Sequence, residues 1–161
     1  MNSDSLFING CNISASPVTT KREALQFISR VYDPLGFLSP VTLNGKLFIQ
    51  ELWQKELDWD ETLSSLQQGK WCKLHEDLLP LSSLPIPRCI GGDDYKLFCF
   101  SDASAKAYSA AVYLYSIVGE TANVNLIFSK ALAAPTKHLS IPGLELLAVF
   151  IGTRTLNYVT N

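Results

Sequence analysis

Apolar residues recur at helical spacing through the first half of the chain. Thr20-Lys21-Arg22-Glu23 places a carboxylate three residues after a hydroxyl, a pattern typical of the capping box that begins a helix. This helix is predicted to end near Asp33, because Pro34 disfavours helical geometry in the residue before it. Two further helices are predicted over 41–57 and 63–79. Their predicted buried faces comprise Leu43, Leu47, Phe48 and Leu52, with Trp53 as a further candidate, and then Leu66, Trp71, Leu74 and Leu78.

The pattern changes after a proline-rich stretch at Pro80, Pro85 and Pro87, which is predicted to be a linker. Strand-like runs follow at 96–101, 107–115 and 124–130, and a last helix is predicted from Ser140 to about Val159. A short strand is also predicted near residues 4–8. The fold class is therefore α+β or α/β, with an N-terminal helical segment followed by a three-stranded meander and a covering helix.

Composition supports a folded chain with an acidic balance. Of the 161 residues, 47% are hydrophobic and 17% charged, so a real core can be buried. The net charge of −2 and the pI near 5.6 argue mildly against tight autonomous binding of nucleic acid. They are compatible with a site in which carboxylates hold metal ions. Residues 1–17 are too few to fold alone and are interpreted as a residual strand and linker.

The cysteines and the apolar runs bear on the compartment. None of the four cysteines forms a C-x-x-C pair, so an intracellular, cytoplasmic location is the default prediction. Cys72 and His75 form a lone C-x-x-H pair, which lacks the remaining two ligands of a structural zinc site. No apolar run approaches the roughly 18 residues of a membrane helix, so no membrane association is expected.

Two carboxylates stand out by their context. Asp102 ends an apolar strand that is expected to be largely buried, and small residues follow it. Glu145 is the only charged residue between Lys137 and Arg154, in a helix that is apolar nearly all round and is therefore expected to be packed on more than one side. Burying such a carboxylate costs several kcal/mol unless it is paired or metal-bound. Hard oxygen ligands suit Mg²⁺, so a shared cation between the two acids is one hypothesis.

For either acid taken alone, an ordinary structural role is the favoured interpretation at this point. A strand-end Asp is often a turn former that accepts hydrogen bonds from nearby backbone N–H groups. A Glu near the start of a helix is favoured by the helix dipole. Periodicity and spacing alone indicate an α/β domain with a possible acidic site.

An ordered series of short motifs favours a functional role for the two acids. Together these motifs resemble the Pol region of BEL/Pao long-terminal-repeat retrotransposons. In chain order they are Thr20-Lys21-Arg22-Glu23, Tyr32-Asp33-Pro34-Leu35-Gly36, Glu51-Leu52-Trp53, Ile86-Pro87-Arg88, Phe100-Ser101-Asp102-Ala103-Ser104, and Ser140-Ile141-Pro142 with Leu144-Glu145-Leu146. The motifs occur in the family's order from residue 20 to about 155. No single motif is decisive, but their joint order is highly specific.

The resemblance implies a domain plan and a chemistry. Residues 18–85 would belong to the thumb or connection of a reverse transcriptase, and 93–161 to the N-terminal half of a ribonuclease-H-like domain. Asp102 and Glu145 would be its first two catalytic, metal-binding acids, with Mg²⁺ as cofactor. The later acids would fall beyond Asn161, and Gly143 stands where the family usually has a basic residue. The parent polyprotein would act on an RNA–DNA hybrid, together with the remainder of Pol, and this chain alone is expected to show little or no nuclease activity.

Other hypotheses for the function of this chain remain open. A decayed or domesticated interaction module without enzyme activity is the main alternative. A peptidase label is used for this family region, but neither Asp-Thr-Gly nor Asp-Ser-Gly occurs in the chain. An ATP-binding actin-like domain would need a richer phosphate loop than Gly91-Gly92. An incomplete sheet would also expose an edge strand, so self-association is expected.

Overall fold

The structure is a computed structural model of the chain, and it describes residues 5–7, 18–78, 85–87, 90 and 92–160. The elements in chain order are β1 Ser5–Phe7, α1 Lys21–Ser29, α2 Ser39–Gln54, α3 Ser65–Leu78, β2 Pro85–Pro87, β3 Asp93–Ala103, β4 Ala107–Val118, β5 Thr121–Ala133 and α4 Ile141–Thr160. Contacts divide the described residues into two compact units. The helical unit lies within 6–33 and 40–86, and the sheet unit lies within 87–161 together with Ser5 and the loop 34–39.

The predicted fold class is confirmed: helices come first, then a three-stranded antiparallel meander, then a helix. Two details differ from the prediction. α1 ends at Ser29, because the N–H of Arg30 bonds to the carbonyls of Phe27 and Ile28 and tightens the last turn. The proline-rich segment, predicted to be a linker, contains strand β2, which pairs with β1.

The helical unit is built on one apolar cluster. Its buried members come from all three helices and their connections: Val18, Ala24, Phe48, Ile49, Leu52, Leu63 and Trp71. Phe27 packs edge-on against Trp71, with ring centroids 5.2 Å apart. Leu66, predicted to be buried, is 69% exposed, because α3 turns Gln67, Trp71 and Leu78 inward.

The capping box at Thr20 is confirmed, and the whole Thr20–Glu23 motif has structural partners. The Thr20 side chain accepts from the N–H of Glu23, while the Glu23 carboxylate accepts from the N–H of Thr20. Lys21 is only 3% exposed and donates to the carbonyl of Leu57. Arg22 forms a two-pronged ion pair with Asp60, at 2.6 and 2.8 Å. The motif therefore fixes α1 against the connection between α2 and α3.

Acid is expected to destabilise the helical unit. The ammonium groups of Lys70 and Lys55 hold the pKa of Glu51 below its ordinary value of 4.5, and hydrogen bonds from Thr19 and Thr20 do the same for the pKa of Glu23. A lowered carboxyl pKa contributes stability above the unfolded value, and this contribution is lost as the pH falls through the folded value.

The free energy of unfolding should therefore fall as the pH is lowered below about 4.5. All three tryptophans, Trp53, Trp59 and Trp71, lie in the helical unit, so tryptophan fluorescence during denaturant unfolding follows this unit. Glu51→Gln should flatten the pH dependence. Glu76→Gln, at an exposed position of α3, is the matched control. An unchanged pH profile in Glu51→Gln would contradict this assignment.

The sheet unit has the strand order β3-β4-β5, with both pairs antiparallel. α4 packs mainly on β3 and β4 and more sparsely on β5. The buried layer between helix and sheet is made of Ala110, Val112, Leu144, Ala148 and Ile151. This layer therefore lies on the face of the sheet that α4 covers.

Gly152 is the point where α4 comes closest to the sheet. A methyl group built there would lie 3.3 Å from the Cys99 sulfur and 3.6 Å from the β carbons of Ser101 and Ala110. The Cys99 thiol also donates to the carbonyl of Gly152, and burial raises the pKa of this thiol. The space at this position is therefore tight for any larger residue, because an alanine would need Cys99 to move by a few tenths of an ångström.

A pair of helix glycines tests this packing. Replacing an exposed helix-interior glycine by alanine adds about 1 kcal/mol of stability through helix propensity. Gly69→Ala in α3, where the added methyl would touch nothing within 4 Å, should show this gain in denaturant unfolding. Gly152→Ala should show no gain in the unfolding of the sheet unit, because the contact with Cys99 offsets it. Cys99→Ala should restore the gain, and a full gain in Gly152→Ala alone would refute the close approach.

The loop 34–39 runs beside the outer edge of β5. The N–H of Ser129 donates to the carbonyl of Leu35 at 2.9 Å, and the Ser129 hydroxyl donates to the carbonyl of Gly36. The Pro34–Ser39 segment thus occupies hydrogen-bonding groups of an edge strand.

Candidate functional site

Asp102 is the penultimate residue of β3, opposite Ser109 of β4. Its side chain is exposed, and so are those of Phe98 and Phe100, at 46% and 61%. The expectation that this strand is largely buried is wrong, because β3 is an edge strand of the described sheet and α4 covers the face opposite to these side chains. The carboxylate is open to solvent and to any ligand.

Glu145 lies in the second turn of α4 and is also exposed. The expectation of a buried carboxylate in a helix packed on several sides is wrong. α4 buries a single stripe formed by Leu144, Ala148, Ile151, Gly152 and Thr155. Apolar neighbours outside the stripe stay in solvent, among them Leu146 at 70% exposure and Phe150 at 55%. Desolvation therefore supplies no argument that Glu145 must face a cation.

The chain topology brings the two acids to the same end of the sheet. β3 and β5 are both antiparallel to β4, so they end together beside the start of β4, where Ala107 pairs with Ala133 and Tyr108 with Ala103. The connection from β5 to α4 leaves from this end, and the N–H of Ala134 bonds to the carbonyl of Lys106 there. α4 therefore begins near the end of the sheet at which Asp102 lies.

The pleat nevertheless assigns the two acids to different faces. Cys99 and Ser101 point toward Gly152 of α4. Since successive side chains of a strand alternate between faces, Asp102 belongs to the other face with Phe98 and Phe100. A cation that contacts both carboxylates cannot lie in the layer between helix and sheet.

Neither acid performs the ordinary structural role that its position suggested. The β3–β4 turn is held by Ser104, whose hydroxyl oxygen accepts from the N–H groups of Lys106 and Ala107. α4 is capped by Ser140, whose hydroxyl oxygen accepts from the N–H of Gly143 at 3.3 Å. Within the described part of the chain, the carboxylates of Asp102 and Glu145 form no hydrogen bond or ion pair.

No third ligand completes a site in the described ranges. Among those residues, no group of three or more His, Cys, Asp and Glu side chains is arranged to hold a metal ion. Cys72 is exposed, while His75 packs against the ring of Phe27, with centroids 5.3 Å apart. Gly143, the departure from the family pattern, has room for a side chain, because an added β carbon would meet only the Ser140 hydroxyl, at 3.4 Å.

Sequence patterns missed two further features. The sheet face that carries Asp102 also carries two edge-to-face aromatic pairs, Phe98 with Tyr115 and Phe100 with Tyr113. Successive side chains of β3 alternate between the two faces, which could have predicted this aromatic face. The strand reads as a continuous apolar run, however, so the alternation was not apparent in the sequence. The second is the burial of Lys21, for which the sequence gives no sign. No helix in the described residues has the length and apolar character needed to cross a membrane.

A three-stranded antiparallel meander followed by a helix on one face is the arrangement of a partial RNase H-like domain. The family model for the "Pao retrotransposon-like RNaseH-like domain" matches residues 20–161. The chain therefore belongs to this family and is a Pao-type retrotransposon Pol region. The match includes the helical unit as well as the sheet unit. No curated protein matches the chain.

Proposed function

We propose that this chain supplies two metal-binding carboxylates, Asp102 and Glu145, to a nuclease site that cleaves the RNA strand of an RNA–DNA hybrid in the Pol polyprotein. The observation that carries the proposal is that both acids are exposed and lie at the same end of the sheet. Their carboxylates have no hydrogen bond or ion pair to another described residue. Membership of an RNaseH-like domain family supports this class of reaction. The helical unit would serve as the thumb or connection segment of the adjoining reverse transcriptase.

The ligand chemistry of the two acids fits Mg²⁺. This ion prefers oxygen ligands, keeps several waters, and is usually held by one or two carboxylates together with substrate phosphate oxygens. A pair of such ions activates water and stabilises the leaving oxygen in phosphodiester cleavage. With two carboxylates on different faces of the sheet, the chain by itself should hold the ions weakly and cleave little or not at all.

Paramagnetic Mn²⁺ tests the shared site without any activity assay. At low occupancy, Mn²⁺ should broaden the backbone amide signals of residues 102–104 and 143–147 together. Asp102→Asn should remove the broadening at both segments. Asp58→Asn, which removes an exposed carboxylate in the helical unit, is the control. Broadening at only one segment, or at neither, would refute a shared cation.

Assays with an RNA–DNA hybrid separate the proposal from the non-enzymatic alternative, and because the chain alone is expected to cleave little, the deciding measurement is binding of the hybrid. The absence of a third ligand in the described residues and the glycine at position 143 both favour an interaction module. Mg²⁺-dependent cleavage of an RNA–DNA hybrid by the purified chain, abolished by Asp102→Asn, would rule that alternative out. Gly143→Lys restores a basic residue where there is room for one. It should strengthen binding of the hybrid if the chain is part of a nuclease, and it should leave hybrid binding unchanged if the chain is only an interaction module.

A further inference from the structure

The loop 34–39 is joined at both ends to helices of the helical unit, although its own contacts belong to the sheet unit. α1 ends at Ser29, so only residues 30–33 lie between that helix and the loop. α2 begins at Ser39, which is the last residue of the loop. The loop also continues the recognition motif at 32–36, to which the proposed nuclease chemistry gives no role.

One carbonyl group joins the position of the loop on β5 to the start of α2. The carbonyl oxygen of Gly36 accepts from the Ser129 hydroxyl of β5, and it also accepts from the N–H of Ser39 at 3.0 Å. The preceding carbonyl, of Leu35, accepts from the N–H of Ser129 at 2.9 Å. The loop conformation that fits β5 is therefore also the conformation from which α2 begins.

We propose that the loop 34–39 couples the folding of the two units, so that its contact with β5 stabilises the helical unit. In the folded helical unit both ends of the loop are fixed, because Ala24 of α1 and Phe48 and Leu52 of α2 belong to one apolar cluster. The loop then binds β5 with little further loss of chain entropy.

Unfolding of the helical unit removes this advantage. The same contact with β5 must then close a much longer stretch of chain, which costs more entropy. Coupling of this kind is reciprocal, so the contact with β5 favours the folded helical unit by the same factor.

Two prolines at the ends of the loop strengthen the coupling. Pro34 and Pro40 fix their own φ, and each restricts the residue before it. A loop restricted in this way has few alternative conformations, so it cannot leave β5 and still present the same start to α2. The coupling depends on hydrogen bonds and chain connection and is independent of the proposed function.

Removal of the donors on β5 tests the coupling. Ser129 lies in the sheet unit, whereas all three tryptophans lie in the helical unit. Ser129→Pro removes both donors to the loop, and an edge strand tolerates proline there because this N–H serves the loop and not the pairing with β4. In denaturant unfolding followed by tryptophan fluorescence, the unfolding equilibrium constant of the helical unit should rise about tenfold, since two hydrogen bonds are lost.

A milder variant guards against misfolding. Ser129→Ala removes the hydroxyl alone and should raise the same unfolding constant about threefold. In every variant, protection of the Val112 amide of β4 from hydrogen exchange shows that the sheet is folded.

Gly119→Ala is the control for a general weakening of the sheet unit. It strains the β4–β5 turn, where φ is +62, and leaves the loop 34–39 unaltered. The unfolding constant of the helical unit should then stay within about twofold of that of the unaltered chain. Gly36→Ala acts on the same contact from the loop side, so adding it to Ser129→Pro should change the larger single effect by less than about twofold.

Three results would overturn the proposal. The first is a helical unit that unfolds as in the unaltered chain in both Ser129 variants. The second is an equal loss in Gly119→Ala, which would show that any weakening of the sheet unit reaches the tryptophans. The third is full additivity of Gly36→Ala and Ser129→Pro. All measurements are made in EDTA and without nucleic acid, so a failure here is distinguishable from a failure of the proposed nuclease function.

Discussion

Lys21→Ala should cost the helical unit about 3 kcal/mol, far more than an ordinary lysine substitution. The Lys21 ammonium lies 4.4 Å from the ring centroid of Trp53 and 4.9 Å from that of Trp59, and it donates to the carbonyl of Leu57. A desolvated cation–π contact contributes up to about 2 kcal/mol. A carbonyl left without its donor costs about 1–3 kcal/mol more. Denaturant unfolding followed by tryptophan fluorescence measures the loss.

Two matched variants divide this cost into its causes. Lys21→Met loses the charge and the donor but keeps an apolar side chain of similar length, so most of the loss should remain, at about 2 kcal/mol. The difference of about 1 kcal/mol from Lys21→Ala then measures the packing of the side-chain stem. Lys73→Met, at an exposed position of α3, should change stability by less than about 0.5 kcal/mol. Equal effects at positions 21 and 73 would show that Lys21 is not enclosed by the two tryptophans.

The helical unit shows what could be predicted from sequence and what could not. Local signals located the elements: the capping box at Thr20 began α1, and spacing of apolar residues found α2 and α3. The burial of Lys21 depends on Trp53 and Trp59, which lie more than thirty residues away, and no local pattern encodes that meeting. Motifs used for recognition, such as Thr20–Glu23, thus turn out to be folding contacts.

For the candidate site, too, some features could be predicted from sequence and others could not. The positions of Asp102 at a strand end and Glu145 early in a helix followed from the order of the elements. Their exposure did not, because sequence cannot say which sides of a strand or helix are covered by other parts of a fold. The continuous apolar run through Phe98 and Phe100 is typical of a strand buried on both faces, yet both side chains are exposed on the face that α4 does not cover.

Gly36→Ala should strongly destabilise the sheet unit. Gly36 has φ +77, in the left-handed region, and an added β carbon would overlap the carbonyl group of Ser129. The backbone strain costs about 1–2 kcal/mol. Relieving the overlap requires the loop 34–39 to leave β5, which also breaks the two hydrogen bonds to Ser129. The expected total loss is about 3 kcal/mol.

Gly119→Ala provides the control, because Gly119 in the β4–β5 turn has a similar φ of +62 but open space around it. Its cost should be about 1 kcal/mol, so the difference between the two variants isolates the contact between the loop and β5. Hydrogen exchange gives the local measurement: the Ser129 amide should lose protection in Gly36→Ala and keep it in Gly119→Ala. Equal costs for both variants, with Ser129 protected in each, would show that the loop does not cover the edge.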